Sequence, residues 1–226
     1  MGLFYGFKYL MKIRPADTRG YLPKSWKDED NYESYRSFSC MSYQDSNYMN
    51  WGPVVTINDD RTKPGFITTW HEHKGMDILN YMIKGECRHK DDKGNDNIAN
   101  STQVQHFWCG PSMYHHLSNE SQSDNRYLQI WILPNSIVNS PMTYDVIDRE
   151  PGFNQLPLEF KNSKISVWGG NLLEPFTVTT YSYVLVLEGS CTVNEMTLNE
   201  GDAIDIDNLA IITPIGNPHL IMFQMR

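Results

Sequence analysis

The chain predicts an all-β protein built as two units, and three observations carry that expectation. Short runs rich in β-branched and aromatic residues alternate with Gly, Asp and Asn turns. Apolar residues never recur at the 3.6-residue period over a long stretch, so long amphipathic helices are not expected. Between residues 134 and 160 the character changes: Pro134, Pro141, Pro151 and Pro157, with scattered Asn and Gly, read as an ordered connector rather than a strand series. The expected division is a first unit over residues 1–134, a connector over 135–163 and a shorter second unit over 164–226.

In the first unit, residues 54–57, 66–70, 78–83, 104–108 and 127–133 read as strands. Asp91-Asp92-Lys93-Gly94-Asn95 supplies turn chemistry between two strands. In the second unit, residues 164–168, 176–189, 191–193, 203–206, 210–214 and 219–225 read the same way. The turns at Gly189 and Gly201-Asp202 are paralleled by Gly85 and Thr102-Gln103 in the first unit, a repeat of architecture rather than of close sequence.

Composition narrows the function classes. The 226 residues are 40% hydrophobic and 20% charged, which is ample for a sizeable core. Net charge is −8 with no Lys or Arg block, which argues against a nucleic-acid surface because phosphate binding relies on clustered positive charge. No run approaches the ~18 apolar residues of a membrane-spanning helix. The opening apolar run, Met1 to Met11, is interrupted by Lys8 and lacks a small-residue cleavage site, and Gly6 stands where a myristoylation motif wants Ser or Thr. The four cysteines, Cys40, Cys87, Cys109 and Cys191, show no C-x-x-C spacing and are expected as free buried thiols in a cytoplasmic protein.

The feature that carries chemistry is His71-Glu72-His73, with His115 further along the chain. Side chains two apart on a strand share a face, so His71 and His73 can offer two imidazoles to one point. A third from a neighbouring strand would complete a facial site for Fe, Cu, Ni or Zn. The second unit has a single histidine, His219, and so lacks the material for a second site.

These histidines sit within a longer pattern. Gly65-Phe66, His71-Glu72-His73, Asp77-Ile78, Tyr81, Gly85, His89-Lys90-Asp91-Asp92 and Gly94 are followed by Cys109-Gly110-Pro111-Ser112-Met113-Tyr114-His115-His116-Leu117 and Gln129-Ile130-Trp131-Ile132. Upstream, Arg19-Gly20, Ser37-Phe38-Ser39 and Ile57-Asn58-Asp59-Asp60 also fit. From about Arg14 to Pro134 the chain resembles the pirin branch of the cupin superfamily. The resemblance implies two cupin-type antiparallel β-barrels packed face to face, the second closing one side of a pocket in the first. It also implies a metal held by His71, His73, His115 and a Glu two positions after the third histidine.

That last position is Leu117. On a strand Leu117 shares the face of His115 while His116 points away, so His116 does not replace the Glu without a bulge. Two repairs are open: Asp77, at the place where many other cupins carry a fourth ligand, or a three-His site completed by water. Ser112 and Thr102-Gln103 are further departures from the family's glycine turns. Trp51, Trp70, Phe107, Trp108 and Trp131 are expected mainly as core, with Trp70 opposite in direction to His71. Asn58-Asp59-Asp60-Arg61 is expected to form a turn, His89 to be a satisfied structural histidine, and Gln105 to lie near the pocket.

Two functions follow. Pirin-like proteins include metal-dependent dioxygenases that cleave flavonols such as quercetin. Here that activity is expected to be weak or absent, because Leu117 cannot serve as general base and Asp77 or Glu120 would have to. The alternative is a non-enzymatic module that holds a small ligand in the first barrel or meets a protein partner.

Overall fold

The computed structural model describes residues 11–23 and 31–226, so the N-terminal run at residues 1–10 lies outside it. Apart from a single 3-10 turn at Ala16–Thr18, the regular elements of the described residues are all strands. The first twelve are β1 (Lys12–Arg14), β2 (Gly20–Pro23), β3 (Tyr32–Arg36), β4 (Val54–Thr62), β5 (His71–His73), β6 (Asp77–Lys84), β7 (Glu86–Asp91), β8 (Asp96–Asn100), β9 (Gln103–Trp108), β10 (Met113–Ser118), β11 (Asn125–Ile132) and β12 (Thr143–Asp148). The rest are β13 (Asn154–Gln155), β14 (Ile165–Asn171), β15 (Phe176–Val178), β16 (Ser182–Val193), β17 (Met196–Asn199), β18 (Ala203–Ile206) and β19 (Ala210–Met225). No helix of the described residues is long and apolar enough to cross a membrane.

One unit spans Arg19–Glu150 and Pro157–Lys164. Its strands form two antiparallel sheets, β12-β9-β6-β11-β4-β3-β2 and β5-β10-β7-β8, rather than one continuously bonded barrel. Alternate side chains of the two sheets meet between them. Met82 and Tyr127 of the larger sheet pack against Cys87, Ala99 and Leu117 of the smaller, all of them buried. Ile78 and Phe107 likewise meet Cys109 and Met113. Burying each such side chain contributes on the order of 1.5–3 kcal/mol.

Turn chemistry sets the strand ends. Gly85 joins β6 to β7 at φ 69°, and a Cβ there would lie 2.9 Å from both the Asn125 Cβ and the Asp124 carbonyl oxygen. In the 91–95 turn, Asp91 Oδ1 accepts the backbone amides of Lys93 at 2.9 Å and Asn95 at 3.0 Å.

The other unit takes residues 11–18, Pro151–Leu156 and Ile165–Arg226. Its sheet runs β1-β18-β16-β19-β14-β13, with β15 paired to β19 and β17 to β16. Register shifts between Val186 and Ser190 bend the long β16–β19 pair. That bend lets Val184, Val186, Val193, Ile204, Ile212 and Leu220 share one apolar core.

The all-β, cupin-type architecture is the one the sequence predicts, with differences of detail. The segment 135–163 is not merely a connector: β12 lies within it and pairs with β9 over Thr143–Asp148, extending the first unit's larger sheet. Conversely β1, assigned by sequence to the first unit, pairs with β18 of the second. Residues 66–70 are not a strand. They meet β10 through an Ile67–Ser118 bridge and through the Thr68 hydroxyl, which accepts the Leu117 amide at 2.9 Å. Continuous pairing starts only at His71. Residues 210–214 and 219–225 form one strand, because residues 214 and 215 continue the ladder to β16 on the near side of Gly216. All four cysteines are free and buried, as expected.

Candidate metal centre

Strand register assembles the site. β5 runs antiparallel to β10 with His71 opposite His115 and His73 opposite Met113. His71 and His73 share a face because they are two apart, and His115 meets them because directly opposed side chains on a face are neighbours. One ring nitrogen from each of the three lies within 4.8 Å of the others. Among the described residues these three are the one cluster of His, Cys, Asp and Glu able to hold a metal ion. His73 is 6% exposed and His115 fully buried, while His71 is half-buried at the mouth.

The hydrogen-bond network assigns the ring protons. His71 Nδ1 lies 2.7 Å from the Thr69 carbonyl oxygen and so donates to it, leaving Nε2 with a lone pair. Asp91 Oδ2 lies 3.1 Å from His89 Nε2, and Asn95 Nδ2 donates to the same oxygen at 2.8 Å. Burial alone would raise the Asp91 carboxyl, but these bonds and two backbone amides hold it down to about 2. In the neutral tautomer that donates Nε2–H to this carboxylate, His89 leaves Nδ1 to accept from His115 Nδ1 at 3.2 Å. His115 Nε2 is then bare, 3.1 Å from the bare Nε2 of His71.

Two nitrogen lone pairs so close repel unless a cation sits between them. Two metal–nitrogen bonds of about 2.0–2.1 Å at near-right angles place their nitrogens about 3 Å apart, the separation seen here. His73 Nε2 is buried with no protein partner. Burial, with a smaller contribution from His71, pushes the His73 ring down to about 4. Burial, then His89 and the other histidines, holds His115 well below its ordinary value. Both rings are therefore neutral at physiological pH, the form a metal needs. The donor set fits a divalent transition metal.

The remaining expected residues separate clearly. Leu117 is buried on the His115 face and brings no oxygen. His116 points away and packs edge-on against Trp70, ring centroids 4.8 Å apart. Asp77 is not at the site: Oδ1 lies 2.9 Å from His106 Nε2, and Oδ2 accepts the Lys161 amide at 2.9 Å. The parity that suggested Asp77 fails because Lys74-Gly75-Met76, with Gly75 at φ 65°, interrupts the strand between His73 and Asp77. Glu120 is exposed and pairs with Arg88 at 2.8 Å. Gln105 accepts from Asn80 Nδ2 at 2.9 Å inside the core. His219 belongs to the other unit, 3.6 Å from Glu188.

A cavity of about 410 Å³ opens beside the histidines. His71, His73, Leu117 and Trp131 line it, together with Tyr32, Arg36, Asn58 and Asp60. Asp60 is the carboxylate that sequence reasoning missed, because it assigned residues 58–61 to a turn. They lie within β4, where same-face alternation places Asn58 and Asp60 together. His89 is satisfied, as expected, but its partner is His115; the His-x-Asp spacing of residues 89 and 91 was the available signal.

A quercetin 2,3-dioxygenase of Escherichia coli is 32% identical over 126 residues, covering 55% of this chain and 52% of that protein. A pirin-like protein of Caulobacter vibrioides is 29% identical over 219 residues, covering 88% and 92%. The crystal structure of YhhW from Escherichia coli superposes with a TM-score of 0.86 at 22% identity, covering 96% of this chain and 98% of that one, and thereby supports the fold. A second YhhW structure is a complex with nickel(II). The relatives and the three-His cluster together support a metal-binding cupin. The Pirin family model matches residues 17–132, a little over half of the 226, and the chain belongs to that family.

Proposed function

We propose that this protein holds a divalent transition metal on His71, His73 and His115 and binds a small oxygen-bearing aromatic ligand in the adjoining cavity, with flavonol dioxygenase activity weak or absent. The observation that carries this reading is the approach of the His71 and His115 Nε2 atoms to 3.1 Å, with the buried Nε2 of His73 unmatched beside them. The nickel(II) complex of YhhW supports nickel as the first metal to try. Such a metal, when bound, supplies a Lewis-acid centre for ligand oxygens. The chain's own residues orient the rings, keep them neutral and wall off water with Leu117 and Trp131.

Binding is favoured over turnover by Leu117. At the position where the family pattern places a carboxylate, the cavity has an apolar side chain that can neither hold a metal nor take a proton from a ligand hydroxyl. Absence of a general base costs on the order of 10²–10⁴ in rate. The four buried free thiols fit the cytoplasmic setting expected from the sequence.

The test is metal analysis of untagged protein beside two variants. His115→Ala should lose nickel(II) binding and His116→Ala should keep it, since His116 faces away. Oxygen uptake with quercetin should stay near background for the loaded parent. Equal binding by all three proteins would sink the metal reading, and rapid uptake would sink the assignment of weak activity.

A further inference from the structure

The end of the cavity away from the histidines is built for a polar contact. Trp131 lies against His73, ring centroids 4.9 Å apart. Along β11 the cavity-facing residues are then Gln129 and Tyr127, paired with Asn58 and Asp60 of β4. Four residues at about 3.4 Å each put the Tyr127–Asp60 row roughly 13 Å along the sheet from Trp131.

At that end Arg36 and Tyr32 supply donors, yet one acceptor is left unmatched. Asn58 is 4% exposed and lines the cavity, yet its Oδ1 has no hydrogen-bond partner in the protein. Buried acceptors left unmatched are rare and costly, which points to a donor that the protein does not itself provide. Asp60, also 4% exposed, accepts from the Tyr32 hydroxyl at 3.0 Å. Tyr32 is fixed by stacking on Phe66, ring centroids 5.2 Å apart and planes within 10°. Burial pushes the Asp60 carboxyl up to about 6 despite hydrogen bonds and Arg36 pulling it down, so the protein leaves it incompletely compensated. Arg36 offsets the charge of Asp60 and also donates to the Cys40 carbonyl oxygen at 3.0 Å. A nearly neutral pair suits a neutral O–H donor better than a cationic ligand.

We propose that Asn58 and Asp60, with Tyr32 holding Asp60 in place, form a hydroxyl-recognition subsite, so that the cavity takes a flat apolar phenol-type molecule whose remote hydroxyl donates to Asn58 Oδ1 or to the Asp60 carboxylate. This deepens the ligand half of the function proposed above and rests on the cavity being a ligand site. Phe66, Ile67, Met76, Leu117 and Trp131 supply apolar wall that suits a flat ring system, beside the polar Thr68, Thr69, Glu72 and Lys74.

The experiment measures binding of 2-naphthol and naphthalene to metal-free full-length protein by calorimetry or equilibrium dialysis. Neither probe carries a chelating oxygen pair, so the metal plays no part. The parent should prefer 2-naphthol by about tenfold or more, the value of a buried hydrogen bond to a charged or otherwise unmatched acceptor. Asn58→Leu and Asp60→Asn should each reduce that preference to about threefold or less while leaving naphthalene binding in place, which also reports that the variants are folded. Asn58→Leu removes an oxygen that bonds nothing in the protein, so it decides the matter alone if Asp60→Asn does not fold. Equal binding of the two probes by the parent, or a preference that survives in Asn58→Leu, overturns the subsite. Preference for 2-naphthol without any nickel(II) binding would instead remove the metal reading and leave the subsite standing.

Discussion

Leu117→Glu tests the link between the missing carboxylate and the metal, and its size follows from the packing. Leu117 is 1% exposed and belongs to one buried apolar cluster with Met82, Cys87, Ala99 and Tyr127. An ionised carboxylate placed there without a partner would cost several kcal/mol in desolvation. It can escape by staying protonated. Holding a Glu of ordinary pKa ~4.3 neutral at pH 7.5 costs about 1.4 kcal/mol per unit, or ~4 kcal/mol. Imperfect replacement of the leucine's packing adds about 1 kcal/mol. A domain of this size loses roughly 2–4 °C of Tm per kcal/mol, so the metal-free variant should melt about 10–20 °C below the parent.

The sign of the pH dependence is part of the test. A carboxyl whose folded pKa is raised contributes stability that is present below its unfolded pKa and lost as pH rises through the folded one. The metal-free variant should therefore recover towards the parent on acidification from pH 7.5 to about 5. Nickel(II) should raise the variant's Tm by more than it raises the parent's, because the cation gains an anionic ligand and relieves the buried charge. Calorimetric melting with and without nickel(II), and metal retained after dialysis, read both effects. A metal-free variant that melts within about 3 °C of the parent and gains nothing from nickel(II) would show that the side chain at 117 does not stand beside the histidines.

The relay behind His115 gives a second expectation. Asp91→Asn should keep the 91–95 turn but lose the negative charge that fixes the His89 and His115 tautomers, lowering nickel(II) affinity about 10–100-fold in a titration; unchanged affinity would dismiss the relay. A third concerns pH. His73 is pushed down to about 4 from 6.5, so between those values only the unfolded chain carries its proton. Metal-free stability should accordingly fall, by up to ~3 kcal/mol from this group, as pH drops from about 6.5 to 4. Asp60, pushed up to about 6, acts oppositely between about 4 and 6. The readout is therefore the difference between parent and His73→Gln in urea unfolding, and identical pH slopes would refute the assignment.

What the sequence revealed, and what it hid, follows from the range over which each rule operates. The two-residue period of a strand places His71 and His73 on one face with no other information. It says nothing of which distant residue lies across the ladder, so His115 opposite His71 came from family resemblance and is a matter of register. Parity also fails across a turn, and the positive-φ Gly75 is why Asp77 faces His106 rather than the metal centre. Within β4 the alternation was readable, but not which neighbouring carboxylate faced inward. Arg126 claims Asp59 with two bonds of 2.8 Å, an interaction between residues far apart in sequence that leaves Asp60 to the cavity.

The arrangement of carboxylates argues for binding. A general base must reach the ligand's acidic oxygen at the metal end within about 3 Å or through one water. Asp77 and Glu120 are engaged elsewhere. Glu72 also lines the cavity, but it alternates with His71 and His73 along β5 and its Oε1 accepts from the Ser112 hydroxyl at 2.7 Å. Asp60 lines the cavity too, and its row lies roughly 13 Å along the sheet from the Trp131 row. Its carboxylate is held by the Tyr32 hydroxyl at 3.0 Å, and it is not part of the cluster formed by His71, His73 and His115. It can hold the far end of a ligand whose near end meets the histidines. The proposed binding without turnover therefore rests on three features: the imidazole set, the apolar Leu117 where the family pattern has a carboxylate, and the unmatched acceptor of Asn58.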